Sequence, residues 1–136
     1  MTKRTLTADE MTRIRDVCAR AFELELAVLF GSVATGRART GSDVDVGILP
    51  IHEVPLSAEL ALASSISAIT HTEVDIVRLD RDDPLLGREI ARHGIALYER
   101  VPGAFAAYRA RAMATWIEFD ELIAPYRQRF IRRLAR

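Results

Sequence analysis

Residues 24–30 read LELAVLF, carry Glu25 as their only polar side chain, and stop abruptly at Gly31-Ser32. A near-continuous apolar run of this length predicts a strand buried on both faces, or nearly so. Such a strand exists only inside a packed domain, so this segment commits the chain to a sheet with a real core.

The segments around it have other periods. Met11, Ile14, Val17, Cys18 and Ala21 form one stripe of an amphipathic helix over about 7–22. Thr7 followed by Glu10 is a capping-box pattern that marks its start. DVDVGIL, residues 43–49, alternates: Asp43, Asp45 and Gly47 on one face, Val44, Val46 and Ile48 on the other. Pro50 and Pro55 bracket a connection, Leu56 to Ile69 reads as a helix, and HTEVDIVRL (71–79) as a third strand with Asp75 opposite Val74 and Ile76. Pro84 suits the first turn of a short helix that ends near His93, with Gly94 as its stop. Ile95 to Tyr98 fits a short edge strand. After Pro102-Gly103 a long helical pattern carries Phe105, Tyr108, Trp116, Phe119, Ile123, Tyr126, Phe130 and Leu134, and Pro125 is expected to kink or interrupt it. Strands alternating with helices predict an α/β class. The expected organisation is a single domain over 1–136, with a core at about 8–100 and a helical extension at about 103–136.

Composition narrows the function classes. The 136 residues hold 19 Lys+Arg and 19 Asp+Glu, a net charge of zero that argues against a basic face for duplex nucleic acid. No direct nucleic-acid binding is therefore expected. No stretch approaches the ~18–20 apolar residues of a membrane span, and the first twenty residues lack the apolar segment of a secretory signal. Cys18 is the only cysteine, which removes internal disulfides and multi-cysteine zinc sites. The expectation is a cytoplasmic protein without membrane contact.

Two features carry chemistry. Asp43 and Asp45 project from one strand about 7 Å apart, a spacing at which two carboxylates jointly hold a hard cation such as Mg²⁺. With the third strand paired beside the second, Asp75 joins them, and three acids accommodate two metals about 3.5–4 Å apart, the arrangement used in phosphoryl transfer. Gly31-Ser32, at the end of a buried strand, offers backbone N–H groups and a hydroxyl to a phosphate. Arg37 and Arg39 follow in the loop as candidates to neutralise phosphate charge.

Gly31-Ser32, ten intervening residues and Asp43-Val44-Asp45 match the GS-x10-DxD signature of the DNA polymerase β-like nucleotidyltransferases. Asp75, within VDIV, sits where that superfamily places its third carboxylate. In its short length the chain resembles the minimal nucleotidyltransferase (MNT) antitoxins that pair with HEPN ribonuclease toxins, over roughly residues 8–100. The resemblance implies a nucleotidyltransferase fold: a short mixed sheet with helices mainly on one face. It implies transfer of AMP from Mg-ATP, with two Mg²⁺ ions, to a tyrosine hydroxyl of the toxin, which silences it. Asp43, Asp45 and Asp75 would be the metal-binding and catalytic residues; Gly31, Ser32 and Arg39 would bind the nucleotide. Many relatives carry arginines just after Gly-Ser, where this chain has Val33 and Thr35, and Arg39 is the candidate to compensate.

Other readings stay open at this point. The chain would neutralise its partner by occlusion alone if catalysis were lost, or modify a small molecule such as an antibiotic. Arg88 and His93 match the Arg-x4-6-His spacing of HEPN ribonucleases, yet those domains are all-helical and this chain has at least three strand signals. A helix face and a helix end explain the pair more simply.

Overall fold

The computed structural model describes residues 4–39 and 41–135. The chain runs α1 (Ala8–Arg20), β1 (Leu24–Phe30), α2 (Ser32–Thr35), β2 (Val44–Pro50), α3 (Leu56–Thr70), β3 (Val74–Arg78), α4 (Pro84–His93), β4 (Ile95–Glu99) and α5 (Ala104–Leu134). The strands form one sheet in the order β3-β2-β1-β4. β1 is antiparallel to both β2 and β4, whereas β2 and β3 are parallel and joined through α3. The sheet is mixed and the class is α/β, as the alternating periods predict.

Local chemistry accounts for the boundaries. Thr7 caps α1 reciprocally with Glu10: the Thr7 hydroxyl accepts from the Glu10 amide and the Glu10 carboxylate accepts from the Thr7 amide, both at 3.0 Å. Asp83 caps α4 by accepting from the Leu86 amide at 3.0 Å, with Pro84 in the first turn. Gly94 ends α4 by close packing, not by a left-handed turn: its φ is −68°, and a Cβ there would lie 2.7 Å from Val28 Cγ1.

Both faces of β1 are covered, by different helices. Ala27 and Leu29 of β1 and Val44, Val46 and Ile48 of β2 meet Ile14 and Cys18 of α1 and Leu62, Ile66 and Ile69 of α3. On the other face, Leu26, Val28 and Phe30 meet Ile90 and Ala91 of α4 and Phe105, Tyr108 and Ala112 of α5. The expectation of helices mainly on one face describes α1 and α3; α4 and α5 add a second layer over β1. Burial pushes the Cys18 thiol up to about 12, in keeping with a core role. Arg88 stacks its guanidinium 5.0 Å from the Trp116 ring centre and His93 closes α4, so the ribonuclease-like pair is a helix face and a helix end.

Pro125 does not interrupt α5, which continues from Ala104 to Leu134 as 31 helical residues. A proline removes one N–H and one intrahelical bond; Pro125 and Glu121 are exposed, so water can take up the freed carbonyl. One stripe runs the length of this helix and changes environment along it. Phe105, Tyr108 and Ala112 are buried, Trp116, Phe119 and Ile123 half-buried, and Tyr126, Phe130 and Leu134 exposed. The first half of α5 is core and the second half runs past the domain. Among the described residues no helix is long and apolar enough to cross a membrane.

Ile66 is fully buried, so Ile66→Ala should cost about 2–5 kcal/mol. Phe130→Ala in the isolated chain should stay within about 0.5 kcal/mol. Urea unfolding of both variants checks the division of α5, and comparable losses would mean that its second half folds back on the body.

Candidate active site

The site begins with strand pairing. Phe30, the last residue of β1, lies opposite Asp45 of β2, and Asp45 lies beside Asp75 of β3. Val44, Val46 and Ile48 point into the α1/α3 core, so Asp45, Gly47 and Leu49 point to the opposite face. Val77 and Leu79 pack on that same face, and Asp75 shares their side of β3. The parallel register thus brings Asp45 and Asp75 together on one surface at the end of the sheet. Asp43 precedes β2 by one residue, and Asp43 and Asp75 are exposed while Asp45 is half-buried.

Gly31 fits against Asp45. Its φ of +78° is a conformation that side chains rarely adopt. A Cβ at this position would overlap the Asp45 carboxylate oxygen and lie 3.2 Å from its Cγ. The Gly31 backbone can lie beside that carboxylate only because it has no side chain. The chain then enters α2, a single turn headed by the amides of Ser32, Val33 and Ala34, where an N–H has no intrahelical acceptor. The Thr35 hydroxyl turns back toward the carbonyls of Gly31 and Ser32, at 3.4 and 3.3 Å.

The loop that delivers Asp43 is anchored by its backbone. The amides of Arg37 and Ala38 both donate to the Ser32 carbonyl at 3.0 Å, and the Ala38 carbonyl accepts from the Arg4 amide at 2.8 Å. Ala38 is buried and acts as the peg of this loop, a role its sequence context does not signal. Arg39 is exposed; its amide donates to the Ser42 hydroxyl and its carbonyl accepts from the Ser42 amide. Arg37 is exposed as well. The structure therefore gathers Gly31, Ser32, Asp43, Asp45 and Asp75 at one end of the sheet, with Arg39 in the adjoining loop.

The electrostatics report the same cluster. Burial raises the Asp45 pKa first, and the charges of Asp75 and then Asp43 raise it further. Among the described residues no three His, Cys, Asp or Glu side chains converge into a ready-made metal cage. The donors are carboxylate oxygens, and Asp75 and Asp43 both repel the Asp45 charge. They suit a hard cation that keeps water and phosphate oxygens in its shell.

A raised carboxylate pKa means that folding favours the protonated form. The stability linked to Asp45 is therefore full below the ordinary carboxylate pKa and is lost as pH rises through the raised value. Without metal, Asp45→Asn should melt above wild type at about pH 7.5, and the gap should shrink toward about pH 4. Thermal melts in EDTA measure this; a lower Tm for the variant at neutral pH would contradict the repulsion.

Comparison with known proteins agrees with this geometry. The polymerase beta nucleotidyltransferase family matches residues 12–102. A curated relative, the protein adenylyltransferase MntA of Aphanizomenon flos-aquae (strain 2012/KM1/D3), is 30% identical over 109 residues, covering 73% of each chain. Among solved structures, a toxin–antitoxin crystal structure with AMP-PNP has a TM-score of 0.75 at 17% identity, covering 93% of this chain and 99% of that one. The MNT antitoxin in complex with the tri-AMPylated Shewanella oneidensis HEPN toxin has a TM-score of 0.71 at 16% identity, covering 90% of this chain and 96% of that one. With the GS-x10-DxD residues assembled at one end of its sheet and two thirds of its length matched, this chain belongs to the polymerase β nucleotidyltransferase family.

Proposed function

We propose that this protein is a cytoplasmic, Mg²⁺-dependent protein adenylyltransferase that transfers AMP from ATP to a tyrosine hydroxyl of a HEPN-type toxin, and so acts as its antitoxin. The observation that carries this reading is the Asp45 carboxylate, held between the side-chain-free Gly31 backbone and Asp75 at an open sheet end. The relative named a protein adenylyltransferase and the structural likeness to an antitoxin bound to an AMPylated toxin support it.

In this mechanism the amides that follow Gly31, together with the Ser32 hydroxyl, receive the ATP phosphates. Asp43 and Asp45 would hold the cation, and two ions if Asp75 joins; a cation there would relieve the mutual repulsion of the three acids. Bound Mg²⁺ would neutralise phosphate charge and lower the pKa of the attacking hydroxyl. Asp75, exposed beside Asp45, accepts the hydroxyl proton. The hydroxyl oxygen bonds to the α-phosphorus, the bond from that phosphorus to the bridging oxygen breaks, and pyrophosphate leaves. Arg39 would meet phosphate charge from the loop. The uncovered stripe of α5 (Tyr126, Phe130, Leu134), interleaved with Arg127, Arg129, Arg132 and Arg133, is the surface this reading gives to an acid-bearing toxin.

One observation favours a second reading. Val33 and Thr35 occupy the turn where many relatives carry arginine, and the Thr35 hydroxyl is turned onto backbone carbonyls. A chain with weakened nucleotide affinity would neutralise its partner by binding alone.

Mass spectrometry of a co-expressed HEPN toxin with ATP and Mg²⁺ separates the two. Wild type should add mass in steps of one AMP, whereas Asp43→Ala/Asp45→Ala should lose at least about 10³-fold in transfer while keeping its fold by circular dichroism. A double variant that transfers as wild type does would remove the proposed metal site. A stable complex without mass gain, in which the double variant still neutralises the toxin, would establish occlusion.

A further inference from the structure

The segment ahead of α1 lies at the end of the sheet that carries the acids, on the α1/α3 side. Leu6 packs against the α1/α3 core, and Arg4 is anchored through both its backbone and its side chain. Its amide donates to the Ala38 carbonyl at 2.8 Å. Its guanidinium donates through Nη2 to the Thr70 carbonyl at 2.6 Å, and the same nitrogen lies 3.4 Å from the Glu10 carboxylate. Thr70 is the last residue of α3, where carbonyls lack intrahelical partners and a cation is favourable.

Both anchor points lie just upstream of an acid. Ala38 precedes Asp43 by five residues, and Thr70 precedes Asp75 by five. From Thr70 the chain turns at His71, whose φ is +57°, and the Ser67 hydroxyl donates to the Thr72 carbonyl at 2.6 Å. The Glu73 carbonyl then accepts from the amide of Val44, the residue after Asp43, at 2.9 Å. Asp43 and Asp75 are exposed, so the backbone on either side fixes where their carboxylates lie. Helix capping alone explains Arg4 poorly. Its side chain is only 23% exposed, and its buried Nε has no hydrogen-bond partner among the described residues, an arrangement that works against stability.

We propose that Arg4 is a positioning residue for AMP transfer: it clips the loop before Asp43 to the turn before Asp75, and so sets the spacing at which those carboxylates share a cation. The proposal rests on the reading of Asp43, Asp45 and Asp75 as the metal site. Arg4 acts from the α1/α3 side of the sheet, through Ala38 and Thr70, and holds the acids without taking part in the chemistry. Strand register makes Asp45 face outward; the clip fixes how far the two outer acids stand from it. Groups that orient metal ligands in this way change metal affinity or activity about 10–100-fold when removed.

Three variants of the whole chain test this. Arg4→Met keeps the aliphatic stem and removes the donors, whereas Arg4→Lys keeps one cationic donor for the Thr70 carbonyl. Glu10→Gln removes the charge of the ion pair but leaves a side-chain oxygen to cap α1. In hydrogen exchange without metal, the Ala38 and Val44 amides of Arg4→Met should exchange about three- to tenfold faster than in wild type. The Val28 and Ile48 amides of the core strands should be unchanged. In AMP transfer to the HEPN toxin, Arg4→Met should need about tenfold more Mg²⁺ for its half-maximal rate, with kcat at saturating Mg²⁺ affected less. Arg4→Lys should fall between Arg4→Met and wild type, and Glu10→Gln should match wild type in both measurements. Wild-type exchange at Ala38 and Val44 in Arg4→Met, an unmoved Mg²⁺ requirement, Arg4→Lys no better than Arg4→Met, or Glu10→Gln reproducing the losses would overturn the clip. Faster exchange shared by Val28 and Ile48 would overturn it too, because Arg4 would then serve general stability. Wild type that transfers no AMP at any Mg²⁺ concentration would bring down the Mg-ATP reading, and this role with it.

Discussion

The backbone of Gly31 lies against the Asp45 carboxylate, and the rest of the site follows from that contact. A side chain at 31 would overlap the acid, and its φ of +78° would strain one in any case. The contact requires β1 and β2 to pair so that Phe30 faces Asp45. A slip of one residue would turn Asp45 into the α1/α3 core and Val44 or Val46 out of it. The hydrophobic pattern of β2 therefore does double duty: Val44, Val46 and Ile48 lock the register that presents Asp45.

Clustering three acids at a sheet end works against stability, as the raised Asp45 pKa indicates. The core that tolerates this surrounds β1 on both faces, through α1 and α3 on one side and α4 and α5 on the other. Burial of this kind contributes roughly 1.5–3 kcal/mol per large apolar side chain, enough to outweigh repulsion among partly solvated carboxylates. The same arrangement leaves the Asp45 end of the second face open while the Leu49 and Leu79 end is roofed by α4 and α5. One face therefore carries an exposed, charged end and a sheltered, half-apolar end.

The long helix shows how far a pattern can be read without its surroundings. Its apolar residues keep one helical period from Phe105 to Leu134, and nothing in that period distinguishes core from surface. Only the packing does: the stripe is covered as far as Ala112, half-covered to Ile123 and uncovered beyond. Pro125 is expected to kink or interrupt the helix because proline removes a backbone donor. At an exposed position water satisfies the lost partner, and the helix runs through.

Much of the site was legible in order along the chain. The apolar run 24–30, its stop at Gly31-Ser32 and the alternation from Asp43 onward follow from local rules, because side-chain period and turn chemistry act over a few residues. The GS-x10-DxD spacing is local in the same sense, and it pointed to the family that the comparison bears out. Other features depend on residues far apart in sequence that meet only when the sheet forms. They include the Asp45–Asp75 register, the Gly31 fit, Ala38 as the peg of the loop, and the Tyr108 hydroxyl over Gly87. Sequence by itself determined which acids, glycines and strands this protein has. Tertiary structure decided which of them touch, because strand register and helix docking are set by how the whole core closes.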